Sequence, residues 1–166
     1  TQAAMRAALA LDVLMTLRGP SGVVHQRLLQ TALKVSDGVP GISLRLRVEV
    51  FEALGKVCLD VGKLQESLPP LQEGIALARK IQDRGMEGRI LSTMGLLEFD
   101  AGRLDAAEEH LQQALALLLA SGDRRGEAHA RNYLGIVNLA AGDVDRVDAA
   151  AESIEVGSSG VTPPNL

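Results

Sequence analysis

The stretch Met94-Gly95-Leu96-Leu97-Glu98-Phe99-Asp100-Ala101-Gly102-Arg103-Leu104 decides the fold, because its landmarks return at one interval on either side. Forty residues earlier stand Leu54-Gly55, Gly62 and Leu64, and forty residues later Leu134-Gly135, Gly142 and Val144. A period of this size marks stacked repeats, which are stabilised by neighbour contacts and present an extended surface. Apolar and turn positions follow the same register: Leu71 meets Leu111, Ile75 meets Leu115, and Asp83-Arg84 meets Asp123-Arg124. Within one unit, Phe51, Leu54, Cys58 and Val61 fall at helical spacing, as do Leu64, Leu68, Leu71, Ile75 and Ala78. Each unit is therefore a helix pair, and the short connection makes its helices antiparallel neighbours.

The turns repeat with the helices. Gly62, Gly102 and Gly142 sit just past the first helix of each pair, where a left-handed C-cap is expected. Gly55, Gly95 and Gly135 lie inside that helix, where glycine costs about 1 kcal/mol relative to alanine, so close approach of the partner helix is the expected reason. Asp83 and Asp123 are placed to cap the next first helix, with Glu87 and Glu127 in its opening turn, where carboxylates suit the helix dipole. Pro69 and Pro70 predict a second helix that starts late or kinks.

A fainter copy precedes these units. A shift of 43 residues brings Leu11 onto Leu54, Met15 onto Cys58, Gly19 onto Gly62 and Leu28 onto Leu71, with the turn-rich segment 36–41 absorbing the extra length. The reading is an all-α, right-handed α-α superhelix of about four helix-turn-helix repeats. One domain spans 1–156, with pairs at about 2–35, 46–81, 86–121 and 126–155, and 157–166 form a flexible tail after Gly157-Ser158-Ser159-Gly160. The start at Thr1-Gln2 fits a piece of a larger polypeptide.

Composition narrows the function classes. Aromatics make up 2% of the chain, which suits close-packed helices. Seventeen Lys and Arg against 21 Asp and Glu give a net charge of −4 with the basic residues scattered, so no direct nucleic-acid partner is expected. No apolar run is long enough to span a bilayer, and the single Cys58 makes no intrachain disulfide; a cytoplasmic location without membrane attachment is the simplest reading.

Phe51-x-x-Leu54-Gly55 and Ala107-x-x-x-Leu111-x-x-Ala114 resemble the tetratricopeptide repeat. The departures are the longer period, Cys58, Glu98 and Asn138 at the usual tyrosine position, and no proline closing the second helix. Long repeats joined by Gly122-Asp123-Arg124-Arg125-Gly126, after a divergent pair containing Leu-Arg-Gly, are similar to the repeat region of large bacterial transcriptional regulators of the signal-transduction ATPase type. That resemblance implies a region that senses a partner or ligand, with DNA binding and ATP hydrolysis elsewhere in the polypeptide. Similar long repeats also occur in animal scaffold proteins.

The resemblance places Glu49, Glu52, Lys56 and Asp60, then Arg89, Ser92, Thr93, Leu96 and Phe99, then His129, Asn132, Tyr133 and Ile136 on the concave side, a mixed groove for protein or peptide. The alternatives are an ordinary solvated face, a structural self-association module that dimerises through exposed terminal helices, and a small-molecule sensor. The positions where some tetratricopeptide proteins clamp a partner's C-terminal carboxylate hold Glu52, Leu96, His129 and Tyr133, which argues against such a clamp. Glu108-Glu109-His110 are consecutive helix residues that do not converge on a metal. Cys58 falls on an apolar stripe, and Asp100 and Asp105 flank a turn, where caps explain them. With no phosphate-binding loop and no nucleophile elbow, the expectation is a noncatalytic module without cofactor or metal.

Overall fold

The computed structural model describes residues 2–7, 22–37 and 39–142. The sequence-expected positions Leu11, Met15 and Gly19, the helix from Asp145 to Glu155 and the tail 157–166 lie outside the described residues. Residues 2–7 are helical, and six further helices follow: α1 (Gly22–Ser36), α2 (Leu44–Asp60), α3 (Leu64–Lys80), α4 (Arg84–Asp100), α5 (Leu104–Ser121) and α6 (Arg124–Ala140). Consecutive helices pack in pairs, α2 with α3 and α4 with α5, and no described residue lies in a strand. The chain is an all-α solenoid.

Which helices meet across units fixes the curvature. The first helices touch one another, α2 against α4 and α4 against α6, whereas the second helices α3 and α5 do not meet. The stack therefore bends toward its first helices, and α2, α4 and α6 line the inner side.

Helix starts and stops follow the turn chemistry. The Asp83 carboxylate accepts the Met86 N–H at 3.0 Å and the Asp123 carboxylate accepts the Gly126 N–H at 2.9 Å. With these caps, α4 and α6 begin at Arg84 and Arg124, and α2 begins at Leu44 behind Ser43, whose Oγ accepts the Leu46 N–H. Asp100 and Asp105 are not N-caps: Asp100 ends α4, Asp105 sits in the first turn of α5, and the cap position itself is Arg103. Each pair turns through a left-handed residue, Gly62 at φ 74° and Gly102 at φ 76°, after which Lys63 and Arg103 donate their N–H groups to the Cys58 and Glu98 carbonyls at 2.8 Å. Between units Gly122 does the same at φ 73°, but its counterpart Gln82 adopts φ 59° with a full side chain.

Gly55, Gly88 and Gly95 are packing sites, whereas a Cβ on Gly135 meets nothing within 4 Å, and the partner helix expected for it lies outside the described residues. A Cβ on Gly95 would lie 2.6 Å from Leu111 Cγ and 3.1 Å from the Ala107 carbonyl oxygen, and one on Gly88 would lie 2.8 Å from Leu118 Cγ and 3.1 Å from the Ala114 carbonyl. Two turns along α4 correspond to two turns back along α5, the antiparallel register expected of a helix hairpin. Gly55 receives Leu71 in the same way, its added Cβ colliding with the leucine's Cγ and Cδ2. Leu71 and Leu111, both fully buried, are thus seated in notches where any side chain would collide.

The prolines do not delay α3, which starts at Leu64 and contains both Pro69 and Pro70. Their missing N–H groups would have met the carbonyls of Gln65 and Glu66, and those residues are exposed, so water can take the freed acceptors. Pro70 is buried and contributes packing, whereas Pro69 faces solvent. Before α2, Arg47 holds the connecting segment through the Ser36 carbonyl at 3.3 Å and the Asp37 carboxylate at 2.7 Å.

Two stability measurements check this account. Gly95→Ala, despite its gain in helix propensity, is expected to lower the unfolding free energy by about 1–3 kcal/mol in urea titrations, because Leu111 and a backbone carbonyl occupy the space. Pro69→Ala is expected to raise it by about 1–3 kcal/mol, since it restores a helix-interior hydrogen bond without changing the buried surface.

Candidate functional site

On the inner side, α2, α4 and the first three turns of α6 with the residue capping them surround a cavity of about 80 Å³, lined by Glu52, Lys56, Arg89, Ser92, Thr93, Leu96, Asp123, Arg125, Gly126, His129 and Tyr133. That volume suits one or two side chains of a bound segment and falls short of the space a small-molecule pocket usually provides. Eight of these residues were expected on the concave side from the sequence. Their register explains the character of the site: Glu49, Arg89 and His129 are equivalent positions, as are Glu52, Ser92 and Asn132, then Lys56, Leu96 and Ile136. Positions that keep their residue type pack helices together, and these change their chemistry from unit to unit.

Several expected residues lie elsewhere. Glu49 sits at the start of α2 beside Arg6, Ser43 and Arg45, with its carboxylate 3.4 Å from Arg45 Nε. Phe99 packs against Ala107, Leu111 and Val137 and belongs to the core between α4, α5 and α6. Asp60 ends α2, and Asn132 and Ile136 are exposed on α6, outside the cavity. The sequence reading missed Asp123, Arg125 and Gly126 as lining residues. Their signal was present in Gly122-Asp123-Arg124-Arg125-Gly126, which reads as a turn, and only the packing of α6 on α4 brings that turn to the groove.

Electrostatics give the cavity a sign. Glu52 pairs with Arg89 across α2 and α4 at 3.4 Å, with side-chain exposures of 16% and 43%, so this partly solvated pair contributes at most about 1 kcal/mol. Asp123 is committed to capping α6. Among the described residues, neither Lys56 nor Arg125 has an ion-pair partner. The Ser92 and Thr93 hydroxyls donate back to the Gly88 and Arg89 carbonyls, each at 3.2 Å, which leaves their oxygens as acceptors only. The donors available to a ligand are therefore mostly cationic.

His129 reports this field. Its ring stacks on Tyr133 at a centroid distance of 6.4 Å. Burial holds its pKa below the usual histidine value, the charges of Lys56, Arg125 and Arg89 push the same way, and Asp123 opposes them. The folded-state pKa being the lower one, His129 costs no stability above about pH 6.5, and stability falls as pH drops through that value.

Cys58 and His110 lie outside the cavity. Burial, then the nearby Glu66 charge, pushes the Cys58 thiol up, away from the thiolate a nucleophile needs. His110 Nδ1 lies 2.9 Å from the Ala106 carbonyl, and among the described residues no cluster of His, Cys, Asp and Glu could hold a metal. No described helix is long and apolar enough to cross a membrane.

Residues 87–152 match the family model described as tetratricopeptide repeat. No curated protein matches the chain. Among solved structures, the crystal structure of BtubC (BKLC) from P. vanneervenii is similar, with a TM-score of 0.69 and 18% identity over 86% of this chain. The match covers 59% of that chain, and at this identity the likeness is one of fold.

The electrostatic reading is checked by NMR titration of the His129 ring. The midpoint is expected below 6.5, and Lys56→Met should move it upward without bringing it fully to the value of a free histidine, because burial persists. An unmoved midpoint would place Lys56 outside the field of this site.

Proposed function

With residues 87–152 belonging to the tetratricopeptide repeats, which generally mediate protein–protein interaction, we propose that the chain is a noncatalytic module that holds a peptide or protein segment across α2, α4 and α6. One observation carries this reading: the cavity on the inner side bridges three successive first helices and is lined by side chains that vary while the packing residues recur. Its two carboxylates are engaged, Asp123 in capping α6 and Glu52 in pairing with Arg89, which supports recognition over acid–base chemistry. The size of the cavity, open along the inner face, suits side chains projecting from an extended segment better than an enclosed metabolite. The setting we favour is the interaction region of a larger bacterial transcriptional regulator, on the strength of Gly122-Asp123-Arg124-Arg125-Gly126 between long repeats.

Selection of a random peptide display library on the immobilised chain, followed by sedimentation of the free protein, tests the reading. Recovered peptides are expected to lose about tenfold in affinity with Tyr133→Ala at unchanged helical circular dichroism, and to be indifferent to Gln113→Ala on α5. A chain that captures no peptide and dimerises with concentration is a self-association module instead.

A further inference from the structure

Three cations from three different helices line the inner cavity: Lys56 on α2, Arg89 on α4 and Arg125 in the first turn of α6. Only two carboxylates accompany them. Glu52 lies 3.4 Å from Arg89 and Asp123 accepts the Gly126 N–H, and neither forms an ion pair with Lys56 or Arg125, so three cations stand against two carboxylates. This local excess of positive charge stands in a chain whose formal net charge is −4. Folding ordinarily places unpaired like charges apart, and gathering them around one concavity raises the local potential and attracts the opposite charge.

The contrast with the neighbouring interface sharpens the point. Arg45, Gly85 and Arg125 occupy one register of the repeat. At the junction of α2 and α4, Arg45 spans Glu49 at 3.4 Å and Asp83 at 3.6 Å and is thereby satisfied within the protein. At the junction of α4 and α6, Gly85 has no side chain to reach Asp123, and Arg125 joins Lys56 at the cavity without an ion-pair partner among the described residues. Arg45 is thus paired within the protein, whereas Arg125, two units on in the same register, reaches the cavity unpaired among the described residues.

We infer that this cavity receives the carboxylate of an Asp or Glu side chain from a bound peptide, held by Lys56 and Arg125 with Arg89 behind them, while Leu96 and Tyr133 contact an apolar neighbour of that residue. The inference rests on the peptide-binding reading above and specifies its ligand. The cations differ in position from Glu52, Leu96, His129 and Tyr133, which occupy the places of the family's C-terminal carboxylate clamp, so an internal acidic side chain suffices and no free C-terminus is required. A volume of about 80 Å³ accommodates such a side chain with its stem. With the Ser92 and Thr93 hydrogens spent on the backbone, the side-chain donors left to a ligand are mostly the cations, which favours a carboxylate over an uncharged amide or a second cation.

The test uses three pools of acetylated, amidated octapeptides, random except for a central pair fixed as Glu-Glu, Gln-Gln or Lys-Lys, with binding read by fluorescence anisotropy. The Glu pool is expected to bind about tenfold more tightly than the Gln pool, and more weakly as sodium chloride is raised. Lys56→Met and Arg125→Met, both at exposed positions, should each erase most of that preference, Glu52→Gln should increase it, and Lys80→Met on α3 should leave it unchanged. His129 should titrate at a higher pH in the Glu-peptide complex than in the free protein. Equal binding of the Glu and Gln pools, a preference that survives Lys56→Met and Arg125→Met, or equally tight binding of free glutarate overturns the inference and leaves peptide binding standing. Binding of no pool overturns both.

Discussion

The seating of Leu111 on Gly95 governs how closely α5 approaches α4, and the rest of the stack depends on that approach. A glycine in a helix interior is locally unfavourable, and here the sacrifice lets a fully buried leucine rest against backbone, with the Ala107 carbonyl 3.1 Å from where a Cβ would stand. Leu71 on Gly55 repeats the arrangement in the preceding pair. With its outer side filled in this way, each first helix has its remaining faces free to meet the first helices before and after it. That is the contact pattern that bends the chain and creates an inner surface.

The division of labour along the sequence follows from this geometry. Positions that must be small, apolar or left-handed recur because each unit solves the same packing problem: glycine at 55 and 95, leucine at 71 and 111, glycine at 62 and 102. Positions between them line the groove and carry glutamate, lysine, arginine, serine, leucine and histidine in no repeating order. A surface with constant scaffolding and variable lining is the physical form of a recognition module.

Much of the fold was legible because the period, the capping aspartates and the paired glycines all express local rules. The prolines were harder to read: Pro69 and Pro70 break a helix by propensity, yet α3 runs through them because the carbonyls they orphan belong to exposed residues. The site was legible only along a helix. Glu52, Lys56, Arg89, Ser92, Thr93, Leu96, His129 and Tyr133 meet at one cavity, as helical phase predicts. Phase could not show that Phe99 rotates into the core formed with Ala107 and Val137, that Arg45 draws Glu49 aside, or that the turn bearing Asp123 and Arg125 reaches the groove. The first and last depend on how one helix pair is set against the next, which no local pattern encodes, whereas Arg45 and Glu49 are an i,i+4 pair on one helix that the spacing alone did not rank above the groove.

The central claim is that recognition takes place on the inner face made by first helices. It is tested most directly by amide chemical-shift mapping of the labelled chain with a bound peptide. The account predicts that perturbed amides cluster on α2, α4 and the opening turns of α6, centred on Lys56, Leu96, Arg125 and His129. Perturbations concentrated on α3 and α5 would contradict it.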